Sequence, residues 1–416
     1  LFLGGYDLKV SSEIQALAPY VPGKPISEAE REFNLDQVYK LASNENALGP
    51  SPRALKAIQE NLVNLHLYPD PSLYDLRRAC AKKYQISEKF FCFGNGSDEL
   101  IDQLSRIFCA PGEIALTSQG SFAAYKLRVR ASRAEIIEVP MTQKYSFDLP
   151  AFTDWLQYHP QKDRARLIFI ANPNNPTGTY LNQKQIDQFL KEMRAFPDVI
   201  VVLDEAYDAF VRAEDFPDSV KLLKENKNLI ILKTLSKVYG LAGLRIGVLM
   251  AHPEICDLVN RMRLPFNVNS LAQVAAIAAF DDVEYIQKSQ QMVWQGLDYF
   301  YQELTKLGLS FVPSQANFVF FDTGTNAEAI YQSLLKEGVI LRPLSAYHMP
   351  RHLRMSVGLP HENQAAIRAL KKVLAFVSPE DHVPTFSEEI LSHESRDLSL
   401  TPPSAILNMQ NFEALQ

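Results

Sequence analysis

The strongest constraint in this sequence is a series of short apolar runs that are continuous rather than alternating. They are Ile114–Thr117, Ile136–Val139, Leu167–Ala171, Val199–Leu203, Leu229–Leu232 and Ile246–Met250. A strand with one wet face alternates polar and apolar residues; a strand covered on both faces reads as an unbroken apolar run. Helical segments lie between several of these runs. The clearest helix spans Asp98–Cys109, where Leu100, Ile101, Leu104, Ile107 and Phe108 share one face. This alternation predicts an α/β domain built on a mostly parallel sheet.

The rest of the chain divides by pattern. Residues 1–45 read as an arm, with a short amphipathic piece at Ile14 and Leu17 followed by Pro19, Pro22 and Pro25. Residues 46–290 hold the large domain. A long helical stretch is expected from Ala272 to about Lys306, then strands at Phe318–Asp322, Val339–Arg342 and His352–Val357, with helices around Ala327–Glu337 and Asn363–Phe376. That gives a smaller α+β domain over 291–377. Residues 378–416 are rich in Pro and Ser and read as an extended tail.

Charge and cysteine usage narrow the function classes. The 416 residues carry 42 Lys+Arg and 48 Asp+Glu. Seven of the acids and one base lie in Ser378–Gln416, so residues 1–377 are balanced at 41 of each. Nothing in that balance favours nucleic acid as a partner. Cys80, Cys92, Cys109 and Cys256 form no C-x-x-C pair, which suits a reducing compartment and buried thiols. The opening LFLGGYDLKVSSE lacks a basic region and an apolar core, and the run around LAQVAAIAAF is about half of a membrane span. A cytoplasmic protein without membrane contact is expected.

In open α/β sheets ligands bind beyond the carboxyl ends of the strands, so the residues just after each apolar run are the ones to read. Asn172–Gly178, NPNNPTG, follows one run; Asp204–Tyr207, DEAY, follows the next; Lys233–Lys237, KTLSK, follows the third. Gly94–Leu100, GNGSDEL, follows Phe90–Phe93 and opens the helix at Asp98. Taken singly these are turns, caps and surface groups. No G-x-x-x-x-G-K-[ST] loop accompanies Asp204, and Glu99 stands where a dinucleotide fingerprint needs its third glycine.

Together they describe one chemistry. The helix start at Ser97–Glu99 offers free backbone N–H groups to an anion, Thr234 and Ser236 add hydroxyls, and Arg245 adds a forked donor suited to phosphate. Lys237 is placed to be an activated amine for a Schiff base. Asp204 could hold a pyridinium nitrogen, with Tyr207 and Asn175 on a ring oxygen and Phe122 stacked on the ring face.

These segments resemble the fold type I pyridoxal-phosphate aminotransferases, and within them the histidinol-phosphate aminotransferases. The resemblance runs from about Ile14 to Phe376 through LAPYVPGKPISE, KLASNENALGPSP, YPDPSLYDLR, GNGSDEL, NPNNPTG, DEAYDAFV, TLSKVYGLAGLRIG, ILRP and HLRMSVGLPHEN. It implies pyridoxal phosphate as cofactor and no metal. It implies that Lys237 is the Schiff-base lysine and proton shuttle, Asp204 the pyridine partner, and Tyr207 and Asn175 the ring-oxygen partners. Ser97, Asp98, Thr234, Ser236 and Arg245 become the phosphate cup. Tyr68 becomes a contributor to a neighbouring subunit's cofactor, hence a homodimer with shared sites. Arg354 takes the substrate's carboxylate or phosphate, with Arg342 and Tyr20 near the same end.

Two departures from the family pattern stand out. Ala47 replaces the usual proline of N-E-N-P-x-G, and Phe122 replaces a tyrosine. The tail 378–416 has no recognisable counterpart.

The implied reaction is histidinol phosphate with 2-oxoglutarate, giving imidazole acetol phosphate and glutamate, in histidine biosynthesis. An aromatic amino-acid aminotransferase or a phospho-amino-acid decarboxylase could use the same scaffold. A non-enzymatic regulator would need a helix-turn-helix that the 45-residue arm does not supply.

Overall fold

A computed structural model describes residues 9–19 and 22–375. Tyr20 and the tail 378–416 lie outside the described residues.

The apolar runs form a seven-stranded sheet. From one edge its order is Phe91–Gly94, Gly247–Ala251, Leu229–Thr234, Ile200–Asp204, Ala165–Ala171, Ile114–Ser118 and Glu135–Val139. The strand Gly247–Ala251 pairs antiparallel with both its neighbours, and every other pairing is parallel. Phe169, Ile170, Val201, Val202, Ile230 and Ile231 are fully buried, which is why these strands read as continuous apolar runs. Helices cover the sheet, among them Ser97–Phe108, Ala123–Ala131 and Gln183–Met193. This is the α/β architecture expected from the sequence.

Register aligns the functional ends. Ala171 lies beside Asp204, and Asp204 beside Leu232, so three parallel strands finish along one edge. The reversed strand starts at that same edge, with Gly247 beside both Thr234 and Gly94. Reversal therefore brings Arg245, two residues before this strand, to the carboxyl ends of the others. The approach is close: a Cβ on Gly247 would stand 2.5 Å from the Ser97 nitrogen.

A second sheet of four antiparallel strands has the order Arg342–Pro343, His352–Ser356, Phe318–Asp322 and Phe311–Val312. Helices Ala327–Lys336 and Pro360–Leu374 accompany it, giving the smaller α+β part of the fold.

The structure corrects two boundaries. The expected helix from Ala272 to Lys306 is two helices, Ser270–Phe280 and Val283–Lys306, parted at Asp281 and Asp282. Asp282 turns out of helical geometry, at φ −93° and ψ 65°. The expected strand Val339–Arg342 also divides. Val339–Ile340 pairs parallel with Tyr39–Lys40 of the arm, whereas Arg342–Pro343 pairs antiparallel with His352–Ser356. The arm is thus bound into the smaller part of the fold, which hydropathy alone does not reveal.

Candidate active site

A cavity of about 440 Å³ opens at the shared strand edge and is lined from both sheets. The larger sheet contributes Asp204, Thr234, Ser236, Lys237 and Arg245; the smaller contributes Arg342 and Arg354. Ser97, Asp98, Phe122, Asn175 and Tyr207 line it too. All the sequence-predicted site residues are brought together here except Tyr68 and the undescribed Tyr20. Tyr68 is 83% exposed and stacks on Phe266 with ring centroids 4.7 Å apart.

Lys237 is partly buried, and its Nζ donates to the Ser43 carbonyl at 3.3 Å. The ammonium lies 5.7 Å from the Tyr207 ring centroid. Burial, with the Arg354 and Arg245 guanidinium groups nearby, lowers its proton affinity to a pKa of about 8, against the opposing pull of Glu45 and Asp98.

Asp204 ends its strand at 5% exposure. One oxygen accepts from the Tyr125 hydroxyl at 2.7 Å and the other from the Ala206 N–H at 3.1 Å. Burial raises its pKa to about 6, and those two hydrogen bonds restrain the rise by favouring the anion.

One end of the cavity is an anion cradle. Helix Ser97–Phe108 begins there after Gly96, whose φ of 80° suits glycine. A Cβ on Gly96 would collide with the Arg245 guanidinium. Arg245 Nη1 lies 3.5 Å from Ser236 Oγ, and its Nη2 lies 3.9 Å from Asp98. Free helix N–H groups, hydroxyls and a guanidinium form a donor set for phosphate.

The other end carries two facing arginines. Arg342 and Arg354 are direct cross-strand partners. Like charges directly opposite one another are destabilising unless an anion comes between them. Arg354 is 6% exposed, donates to Asn175 Oδ1 and, at 2.6 Å, to the Ala42 carbonyl, and lies 5.2 Å from the Phe318 ring centroid.

Three residues were not singled out from the sequence. Tyr125 and Asn44 touch the predicted groups directly; Asn44 Nδ2 donates to the Tyr207 hydroxyl at 2.9 Å. Tyr125 has a faint signal, as it lies three residues after Phe122 at the start of a helix. Asn44 lies in the N-E-N segment quoted above, but its link to Tyr207, 163 residues away, leaves no mark in the sequence. The third, Glu205, is fully buried and binds Lys233 at 2.7 Å. Lys233 also binds Asp208, so one ammonium ties the two residues that flank the Ala206–Tyr207 turn.

The sequence profile of the aminotransferase class I and II family matches residues 36–370. The chain belongs to this family. Among relatives of this aminotransferase, a histidinol-phosphate aminotransferase from Bdellovibrio bacteriovorus is 52% identical over 372 residues, covering 89% of this chain and all of that protein. One from Anaeromyxobacter sp. is 44% identical over 366 residues, covering 88% and 99%. The structure of this aminotransferase is similar to that of histidinol-phosphate aminotransferase from Sinorhizobium meliloti in complex with pyridoxal-5'-phosphate. The TM-score is 0.81 at 26% identity, covering 90% of this chain and all of the other.

Pyridoxal phosphate is therefore this enzyme's cofactor, and the residues present fit it. The aminotransferase has an anion-binding donor set at the Gly96 turn, an amine with lowered proton affinity, and a buried carboxylate lining the same cavity.

Proposed function

We propose that this enzyme transfers the amino group of histidinol phosphate to 2-oxoglutarate, giving imidazole acetol phosphate and glutamate, a step of histidine biosynthesis. The observation that carries the reaction type is Lys237, an amine lowered to about 8, in one cavity with Asp204 and the Arg245 cradle. The two relatives described above, both histidinol-phosphate aminotransferases, support the substrate, which also suits the arginine pair.

When bound, pyridoxal phosphate supplies an aldehyde that condenses with amines and a pyridine ring that withdraws electrons from the substrate's α carbon. Lys237 would hold the cofactor through Nζ, and the same Nζ as free base can take up and return a proton. A pKa of about 8 leaves a useful share of the amine as free base at neutral pH, unlike a lysine at 10.5. Asp204 keeps the ring nitrogen protonated; the Tyr125 hydrogen bond helps keep its carboxylate anionic for that task. Tyr207 and Asn175 would hold the ring through its oxygen, with Phe122 available to its face. Ser97, Asp98, Thr234, Ser236 and Arg245 fix the phosphate end. Arg354, with Arg342 opposite, takes the substrate's anionic group; a fork donor accepts a carboxylate or a phosphate, so one pair serves both substrates.

The enzyme acts as a homodimer in the cytoplasm. Tyr68 stands outside its own cavity among exposed Val63, Leu65, Leu67 and Leu264, an apolar surface that a second copy would cover while Tyr68 reaches the partner's cofactor phosphate. All four cysteines are buried and free, as a reducing compartment allows. Among the described residues no helix is long and apolar enough to cross a membrane. We divide the chain into an arm to residue 45, a cofactor domain to residue 290 within helix Val283–Lys306, and a smaller domain to residue 377.

A half-reaction tests the assignment. Protein loaded with pyridoxal phosphate is mixed with L-histidinol phosphate and no acceptor, and the visible cofactor band is followed. Rapid loss of the band, with phenylalanine and tyrosine much slower, is expected. A band that ignores histidinol phosphate would overturn the substrate, and release of carbon dioxide would overturn the reaction type.

A further inference from the structure

A phenol hydroxyl can either donate or accept toward a ligand, and Tyr207 has to donate if it is to steady an oxygen anion. What decides its direction is written in the hydrogen bonds of Asn44. This residue is 1% exposed and adopts a left-handed conformation, φ 54°, which asparagine tolerates better than most residues. Its backbone N–H donates to Ser356 Oγ at 2.9 Å. With that lone pair occupied, the Ser356 hydroxyl sends its own proton to Asn44 Oδ1 at 2.7 Å. The carbonyl end of the amide is thereby fixed, and the NH₂ end must face Tyr207, to whose oxygen it donates at 2.9 Å. The reverse orientation would leave the Ser356 proton without its acceptor, so the network itself assigns the amide. The Asn44 backbone carbonyl, in turn, accepts from Asn317 Nδ2 at 3.0 Å.

We propose that Asn44, locked by Ser356, is a positioning residue that fixes the Tyr207 hydroxyl as a hydrogen-bond donor into the cavity. An NH₂ group only donates, so Tyr207 must receive on this side and direct its proton elsewhere. Among the described residues no protein acceptor receives that proton, and Tyr207 lines the cavity. Its acceptor is the ring oxygen of the bound cofactor. The inference deepens the site assignment above and rests on Tyr207 lying at the cofactor. Its physical effect is on proton affinity: a donor to an oxygen anion stabilises the anion and holds the midpoint of its protonation down.

The test uses full-length protein loaded with pyridoxal phosphate, without substrate, and reads the pH midpoint of the visible band. Cofactor dissociation constants are measured alongside by fluorescence titration. N44D is nearly isosteric but presents only acceptors, so it turns the Tyr207 proton away from the cavity. It should raise the midpoint by about one pH unit, as Y207F should, and add little when combined with Y207F. N44A deletes the amide without supplying an acceptor, leaves the hydroxyl free to donate inward, and should move the midpoint less than N44D.

Equal shifts from N44D in the wild-type and Y207F backgrounds would overturn the proposal, because Asn44 would then act by charge or packing. A larger shift from N44A than from N44D would also overturn it, because deletion of packing would outweigh polarity. If N44D does not fold, S356A, which frees the Asn44 amide to turn, takes its place: it should raise the midpoint in wild type but not in Y207F, and equal shifts in the two would overturn the proposal. An unmoved midpoint in Y207F alone would remove Tyr207 from the cofactor, and with it both the site assignment and this inference.

Discussion

The Tyr125 hydroxyl donates to Asp204 Oδ2 across 2.7 Å, and both residues are buried. The Tyr125 ring is clamped flat against Phe169, with centroids 4.7 Å apart and planes within 5°. Burial raises the Asp204 proton affinity and this hydrogen bond lowers it. Replacing Tyr125 by phenylalanine keeps the stack and removes the restraint. A hydrogen bond to a charged group contributes about 1.5–3 kcal/mol, equivalent to about one to two pH units. In Y125F the acid limb of the kcat/KM profile should therefore move to higher pH by that amount. An unmoved limb would show that the bond does not govern Asp204.

Lys237→Ala should abolish the visible cofactor band and reduce turnover by ~10³-fold or more. The lowered proton affinity also has a thermodynamic signature. Below about pH 8 the folded protein bears the full cost of a buried ammonium; between about 8 and 10.5 the unfolded chain binds the extra proton, so stability rises with pH. In cofactor-free protein K237M should thus melt above wild type at pH 7, with the gap closing as pH approaches 10.5. Thermal unfolding at three pH values checks this, and a gap independent of pH would contradict it.

A Cβ at Gly96 would displace the Arg245 guanidinium from the anion cradle, on a backbone whose positive φ strains an L side chain. G96A should weaken cofactor binding by at least ~10-fold, about 1.4 kcal/mol. Fluorescence titration with pyridoxal phosphate provides the measurement. Unaltered affinity would place the phosphate elsewhere.

Glu205 and Lys233 form a buried pair behind the strand edge that presents Asp204. Removing Lys233 leaves the fully buried Glu205 carboxylate with only the Ser219 hydroxyl, and K233M should lower unfolding free energy by about 3 kcal/mol. E205L/K233M, which replaces both charges by apolar groups, should recover much of that loss. Denaturant unfolding of the three proteins separates the cases.

The sequence makes the sheet legible because strands buried on both faces must be apolar at every position. It makes Asp204 and Lys237 legible because each lies just beyond such a strand, where the fold class puts ligands. The antiparallel direction of Gly247–Ala251 is less visible, since strand direction leaves no mark on hydropathy; Arg245 was found by its fork chemistry rather than by its place. Asn44 and Tyr125 escaped notice for another reason. Each works through one polar atom aimed at a distant residue, and such aim has no periodicity.

Asn44 bonds to Ser356 across 312 positions of chain. On a ribosome adding about 5–20 residues each second, that amounts to about 15–60 s of synthesis. Asn44, in a lining segment that leaves the exit tunnel early, therefore waits for a partner made long after it. Throughout that interval the nascent polypeptide acquires Asp204, Lys237 and Arg245 while lacking Ser356, the residue that holds the Asn44 amide. Arg354 joins the lining in the same late stretch, so the cavity is complete only after the strands of the large sheet have been made.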